Sequence, residues 1–223
     1  MIALTIALLC GFLTLSHASD EAQAGPFPLN GQGFICEWLI AGPFPNVGTF
    51  PDFAGWDTDW LADSGGEAAA DPTQNQPVEW NPPADARYGE LQWQPRLLAS
   101  EEDRIFDYII DFQEFYGSRG REVRGVACIS YAFCRLEAPN DMDVILAVSS
   151  DDGSKLWLNG VELAANREFS SLDATTWKIP VRLKKGVNRL LVKVEEGGKG
   201  MHCLQVKVLD AKGKPAPGVE VSL

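Results

Sequence analysis

The stretch "AVSSDDGSKLWLNGVEL", residues 147–163, decides the fold class. The residues on either side of Ser-Asp-Asp-Gly alternate between apolar and polar side chains, which is typical of half-buried β-strands. Asn159-Gly160 lies between "LWL" and "VEL". Asn-Gly favours a two-residue hairpin because both positions of a type I′ turn need a positive φ. The stretch therefore predicts short antiparallel strands joined by tight turns.

The same pattern continues along the chain, with turn signals such as Lys185-Gly186 between the runs. Because no helical crossovers separate the runs, a parallel sheet is not expected. We predict an all-β fold, an antiparallel jelly-roll β-sandwich with a long irregular N-terminal excursion and at most one short helix. Asn188 is expected to turn the chain after Gly186, and Lys193 is expected on a solvated face. The predicted strands are 34–42, 123–137, 142–149, 155–158, 161–164, 175–183, 188–195 and 201–209.

The helix candidate lies at residues 100–117, where Ser100 could cap and apolar side chains recur at helical spacing. Its content of β-branched and aromatic residues favours a division of the segment. We predict a strand near 106–110 and a short helical turn near 111–116.

The charge of the chain narrows the classes of partner. The net charge is −12 over 223 residues, so nucleic acid and anionic membrane surfaces would be repelled. Residues 42–100 carry nine acids and two bases, whereas residues 154–223 carry twelve bases and seven acids. The acidic part is interpreted either as a solvated loop surface or as an acidic binding lip.

The N-terminal stretch "MIALTIALLCGFLTLSHAS" has no charged side chain and has the length and apolar character of a signal peptide. It is too short for a comfortable membrane span, and no other stretch is apolar enough to cross a bilayer. We predict a signal peptide at 1–18, a flexible leader at 19–33 and a single β-sandwich domain at 34–223. This domain has a long aromatic and acidic loop at 42–100. The expected location is secreted, periplasmic or cell-surface.

Export would leave four cysteines, Cys36, Cys128, Cys134 and Cys203. An even number in an oxidising compartment permits two disulfides, and four small buried hydrophobic side chains are the alternative. Cys128 and Cys134 lie in one predicted strand, where they would be roughly 20 Å apart. They are therefore too far apart to pair with each other, because a disulfide needs Cα atoms within about 7 Å.

Four segments resemble a known family. "VILAVSSDDGSKLWLNGVEL" (144–163), followed by "LKKGVNRLLVKVEEG" (183–197), resembles the core of PA14-type and related galactose-binding-like β-sandwich modules. "EWLIAGPFPN" (37–46) and "VLDAKGKPAPGVEVSL" (208–223) resemble a version found in secreted proteins of planctomycete-like bacteria. Together these segments cover most of residues 34–223.

The resemblance implies a calcium site at Asp151 and Asp152. In sugar-binding members two adjacent aspartates, often joined by a cis peptide, help to hold a calcium ion that grips sugar hydroxyls. Calcium takes about six to eight oxygen ligands, and adjacent carboxylates on a turn supply several of them. We take Asn166 as a further metal ligand, with Asp141 and Asp173 as other candidates. The alternative is that Asp-Asp-Gly forms a β-turn and nothing more.

A second route to sugar binding lies in the excursion, where Trp56, Asp57, Asp59 and Trp60 occur within five residues. Indole faces stack on sugar rings, and the neighbouring carboxylates accept hydrogen bonds from hydroxyls. The alternative is that the tryptophans fold the loop back onto the sandwich, as large aromatic side chains usually do.

We predict a secreted, non-catalytic carbohydrate-binding module, calcium-assisted, whose partner is a glycan or cell-surface polysaccharide. The first alternative is a structural or protein–protein interaction β-sandwich with no sugar site. The second is an unrecognised polysaccharide hydrolase or lyase. The enzyme alternative is disfavoured because the sequence has no G-x-S-x-G, H-E-x-x-H or P-loop motif. His202 is also the one histidine that remains after cleavage at residue 18.

Overall fold

The computed structural model describes residues 25–49, 52–82, 89–99, 108–116, 127–168, 171–172, 176–197 and 200–223. Short 3-10 turns interrupt the irregular part at Ala54–Trp56, Ala62–Ser64 and Glu67–Ala69. The elements of the described residues are β1 (Phe27–Pro28), β2 (Glu37–Pro45), β3 (Gln94–Leu97), β4 (Ile110–Asp111), α1 (Phe112–Phe115), β5 (Cys128–Ala138), β6 (Met142–Asp151), β7 (Ser154–Leu158), β8 (Val161–Asn166), β9 (Trp177–Leu183), β10 (Gly186–Glu196), β11 (Cys203–Leu209) and β12 (Glu220–Ser222).

These strands form two antiparallel sheets. The larger sheet, sheet A, has the order β1-β12-β5-β10-β7-β8, and β2 pairs with both β5 and β3. The smaller sheet, sheet B, has the order β4-β11-β6-β9. Each of these pairings is antiparallel. The predicted all-β antiparallel sandwich is confirmed, and α1 is the short α-helix of the described residues.

The main core lies between the two sheets. Alternate side chains of a strand point to opposite faces, so Val192 and Val194 of β10 enter this core while their neighbours face away from it. From sheet B, Leu146 of β6 and Val206 of β11 meet them. All four side chains are essentially inaccessible to solvent.

The outer face of sheet A is also buried, because the described part of the excursion (residues 42–100) packs across it. Leu61, Val78 and Trp93 of the excursion contact a second apolar cluster that includes Tyr131 and Trp157 of the sheet. The molecule therefore has three layers in its described part: sheet B, sheet A and the excursion.

Charged contacts fasten this third layer. Arg135 of β5 donates to the carboxylate of Asp71 at 2.7 Å and to the carbonyl of Pro72 at 2.8 Å. Arg189 of β10 donates to the carbonyl of Ala69 at 3.1 Å. These bonds occupy backbone carbonyls of a segment that has few strand partners of its own, which is how irregular buried chain avoids unsatisfied polar groups.

The prediction that Lys193 lies on a solvated face is wrong. Its side chain is 1% exposed, because the excursion covers the face of β10 to which it points. The ammonium group donates to the carboxylate of Glu67 at 2.9 Å and to the carbonyls of Trp56 and Thr58 at 3.0 and 2.7 Å. The hydroxyl of Tyr131 donates to the same Glu67 carboxylate at 2.6 Å.

Several local predictions are confirmed. Asn159 and Gly160 have φ values of 52° and 82°, as the hairpin between β7 and β8 requires. The Asn188 side chain accepts from the backbone N–H of Lys184 and donates to the carbonyls of Lys184 and Gly186, so it holds the turn before β10. The helical turn at 111–116 is α1, whose N-cap carboxylate at Asp111 accepts from the N–H of Glu114.

The predicted division of the chain stays a prediction. The signal peptide at 1–18 lies outside the described residues, as do residues 19–24 of the leader. Within 25–33, β1 pairs with β12. Within the described residues, none of the helices has the length and apolarity to span a bilayer. The four cysteines at 36, 128, 134 and 203 are buried and carry free thiols.

Candidate metal centre

Three carboxylates converge where β6 and β10 end. Asp151 is the last residue of β6, Asp152 follows it in the turn to β7, and Glu196 is the last residue of β10. One oxygen of each side chain lies within 4.8 Å of the other two. The residues are 8%, 5% and 1% exposed. Hard oxygen ligands gathered at one point are what calcium requires.

The backbone of β10 holds the Asp-Asp turn in place. The N–H of Asp152 donates to the carbonyl of Glu195 at 3.1 Å, and the N–H of Glu195 donates to the carbonyl of Gly153 at 2.8 Å. The N–H of Gly197 donates to the carboxylate of Asp152 at 2.9 Å. The peptide bond between Asp151 and Asp152 is cis.

The surroundings of Asp151 and Asp152 disfavour the ionised forms of their carboxyl groups. Burial, the charge of Asp152 and a hydrogen bond with Asp152 together raise the pKa of Asp151 to about 7. Burial also raises the pKa of Asp152, although the hydrogen bond from Gly197 opposes that shift. Carboxylates in this situation are stabilised by protons or by a cation. The donor set therefore fits a divalent metal ion.

A second group of side chains stands directly behind the cluster. Arg167 donates to both oxygens of Glu195, with distances of 3.0 Å to each. Asn46 donates to Glu195 Oε1 at 3.0 Å. Arg167 also donates to the carbonyl of Phe53 at 2.6 Å. The excursion and the end of β10 are thus connected through the buried carboxylate of Glu195.

The other predicted ligands have different positions. Asn166 ends β8 opposite Ser154, and its carbonyl lies 2.8 Å from the point where a Cβ on Gly153 would stand. Its role as a metal ligand stays a prediction. Asp141 precedes β6 at the opposite end, roughly 30 Å of extended strand from the cluster, and binds the N–H of Lys185. It is therefore wrong as a ligand candidate, and Asp173 lies outside the described residues.

Sequence reasoning missed Glu196, although a signal for it exists. Glu196 has the same strand parity as Val192 and Val194, whose side chains enter the core between the sheets. A carboxylate on the core-facing side of a strand is rarely buried without a partner or a metal. Strand parity alone could therefore have marked Glu196 as a candidate ligand.

Trp56 of the excursion packs over the Asp-Asp-Gly turn. Trp56 is 7% exposed, and its ring lies 3.1 Å from the point where a Cβ on Gly153 would stand. The ammonium of Lys155 and the guanidinium of Arg167 lie 4.7 and 5.3 Å from its ring centroid. These contacts match the alternative in which the tryptophans fold the loop onto the sandwich.

The neighbouring excursion residues also make contacts within the protein. Trp60 stacks on Phe44 with ring centroids 5.9 Å apart. The carboxylate of Asp59 accepts from the N–H of Leu61 and from the N–H of Glu67. Asp57 lies 3.5 Å from Lys155, and its side chain is 78% exposed. Of the four predicted sugar-contact residues, Asp57 and Asp59 are open to solvent.

Comparison with known proteins adds fold-level likenesses. No family model and no curated protein matches the chain. A PA14 sugar-binding domain from an RTX adhesin is 13% identical, with 84% of this chain and 99% of that chain covered and a TM-score of 0.41. The PA14 domain of the MpAFP antifreeze protein is 15% identical, with 92% and 95% covered and a TM-score of 0.40. The chain is similar to PA14 domains.

A β-glucosidase from Kluyveromyces marxianus is also similar, at 13% identity and a TM-score of 0.39. The match covers 78% of this chain and 14% of the β-glucosidase, so this chain spans a small part of that enzyme's length.

Proposed function

We propose that the chain is a non-catalytic carbohydrate-binding module whose site holds a calcium ion. The observation that carries the proposal is the convergence of Asp151, Asp152 and Glu196 within 4.8 Å. The sequence resemblance implies sugar binding through calcium at the two aspartates, and Glu196 supplies a third carboxylate. When bound, calcium would supply positive charge to which sugar hydroxyls coordinate. We propose that the module works outside the cytoplasm, as its signal-peptide-like N-terminus predicts.

The burial of the three carboxylates supports a binding role over a catalytic one. A glycosidase needs two carboxyl groups on either side of a sugar ring in an open cleft. Asp151, Asp152 and Glu196 are each buried, and their carboxylate oxygens converge on one point. Such a cluster is suited to holding an ion and has no room for a sugar ring between its members.

The same burial favours a second candidate function. A calcium ion enclosed by these carboxylates would stabilise the sandwich without touching a ligand, and the module would then act as a structural or protein-interaction domain. The two candidates share the metal site and differ in whether a glycan depends on it.

One experiment separates them. Melting temperature and glycan retention are measured with calcium and with EDTA, for the wild type and for Asp152→Asn. Asp143→Asn is the matched control, because Asp143 is on the same strand and its side chain is 80% exposed. We expect calcium to raise the melting temperature of the wild type and of the control. We expect calcium to have little effect on the melting temperature of Asp152→Asn.

Glycan retention that requires calcium and is lost in Asp152→Asn would support the carbohydrate-binding module. A calcium-dependent melting shift with indifference to every glycan would support the structural candidate instead. Absence of any calcium binding by the wild type, or turnover of a polysaccharide panel, would overturn the proposal. Asp57→Ala tests the contribution of the excursion, since the Asp57 side chain is 78% exposed.

A further inference from the structure

We propose that Arg167 and Asn46 are positioning residues for the cation site and act on it through Glu195. This inference rests on the proposed function, because it takes Asp151, Asp152 and Glu196 as the residues that hold the ion. The carboxylates that would hold the ion are those of Asp151, Asp152 and Glu196, and Arg167 and Asn46 do not belong to this set. Their contribution is to fix the geometry of the residues that do.

Glu195 is the structural link between the ligands. Its carbonyl accepts from the N–H of Asp152, and its own N–H donates to the carbonyl of Gly153. It is also the residue directly before Glu196. One residue of β10 therefore sets the distance between the Asp-Asp turn and the third carboxylate.

The carboxylate of Glu195 points away from the cluster. Adjacent residues of a strand face opposite sides of the sheet, so Glu196 faces the interior while Glu195 faces the excursion. There its side chain is 0% exposed, and both of its oxygens accept from Arg167. A bidentate arginine–carboxylate pair restricts orientation as well as adding energy.

Asn46 is a second side chain that holds Glu195 in place. Its amide donates to Glu195 Oε1 at 3.0 Å and approaches the carbonyl of Glu196 at 3.4 Å. It thus contacts the side chain of Glu195 and the backbone of the ligand residue next to it. Asn46 is 4% exposed, so water cannot easily replace these bonds.

The excursion completes the support. Arg167 donates to the carbonyl of Phe53 and lies over the ring of Trp56, which in turn packs on Gly153. The segment 53–56, the turn at 151–153 and the end of β10 are therefore connected by direct contacts. Residues that orient metal ligands without touching the metal commonly change affinity about 10- to 100-fold when they are removed.

The test compares calcium affinity in Arg167→Gln, Arg167→Lys and Asn46→Ala with that of the wild type, by calorimetric titration of calcium chloride. Arg135→Gln is the matched control, because it removes a different arginine–carboxylate contact to the same excursion. We expect affinity to fall roughly tenfold in Arg167→Gln and Asn46→Ala. We expect a partial recovery in Arg167→Lys, which keeps the charge but not the bidentate geometry. Arg135→Gln should lower the melting temperature and leave calcium affinity within about twofold of wild type.

A second readout needs no metal. Amide hydrogen exchange in EDTA is expected to speed up at residues 151–153 and 195–197 in Arg167→Gln and in Asn46→Ala, but not in Arg135→Gln. Unchanged exchange at these positions would overturn the inference, whether or not calcium binds. Wild-type affinity in both variants would also overturn it while leaving the calcium proposal intact. An equal loss of calcium affinity in Arg135→Gln would show a general loosening of the excursion and would also overturn the inference.

Discussion

Calcium binding is expected to weaken as the pH falls through neutrality. The pKa of Asp151 is raised to about 7, first by burial and then by the charge of Asp152. A calcium ligand must be ionised, so the ion and the proton compete for this carboxylate. An exposed aspartate would show no such competition in this range, because its pKa lies near 3.8.

The magnitude follows from the ionised fraction. With a pKa near 7, Asp151 is about 90% ionised at pH 8, about 10% at pH 6 and about 1% at pH 5. Apparent affinity should therefore fall roughly tenfold between pH 8 and pH 6 and roughly 90-fold between pH 8 and pH 5. A single exposed aspartate would lose less than about 10% of its ionised form between pH 8 and pH 5.

Calorimetry measures both the affinity and the proton that the ion displaces. Titration at pH 6 in two buffers with different ionisation enthalpies should show release of about 0.9 proton per calcium. Asp151→Asn should bind calcium more weakly than the wild type at pH 8, with much less dependence on pH. An affinity that is constant between pH 8 and pH 5 would refute the reasoning.

The stability of the calcium-free protein should show the opposite trend. A carboxyl group whose pKa is higher in the folded state than in the unfolded state binds its proton more tightly when folded. The Asp151 carboxyl therefore favours folding at acidic pH, and this contribution is lost as the pH rises from about 4 to about 7. Melting curves in EDTA should show this decline for the wild type and a smaller one for Asp151→Asn.

Three further predictions concern the fold. Lys193→Met should lower the free energy of unfolding in urea by roughly 3–5 kcal/mol. In the Lys193→Met background, Glu67→Gln should lower the free energy of unfolding by less than it does in the wild type, because the two residues form an ion pair. Strictly additive losses would contradict the pairing. Gly160→Ala should lower stability by about 1–3 kcal/mol, because its φ is positive and the carbonyl of Ala68 fills the space beside it. The four buried cysteines should react with a thiol reagent only after unfolding, since burial raises each thiol pKa, and reaction in the native protein would count against their burial.

The strands that could be predicted from the sequence have strong local patterns. β10 contains an apolar run, Leu190 to Val192, between the turn signals Lys185-Gly186 and Gly197-Gly198, and β7 and β8 flank an Asn-Gly turn. β3 and β12 have no such pattern. β3 is four residues long and contains Pro95, and its pairing depends on the position of β2. Short strands of this kind form because a neighbour is present, and local propensity does not reveal them.

The residues of the candidate site also fall into those that the sequence predicts and those that it does not. Asp151 and Asp152 could be predicted because adjacent acids before glycine form a visible motif. Glu196 and Glu195 reach the site from a strand more than forty residues away, so their convergence depends on the pairing of β10 with β7. The burial of Lys193 depends on the path of an irregular loop, which no periodicity encodes.

The third layer limits how this module can be re-engineered. Tyr131, Phe133 and Trp157 lie beneath the excursion as an aromatic sheet face. Trimming residues 52–82 to obtain a minimal sandwich would expose that face to water, and exposed patches of this kind promote aggregation. A transplanted or fused version should therefore carry the whole excursion as part of its folding unit, and sequence diversity is better introduced elsewhere.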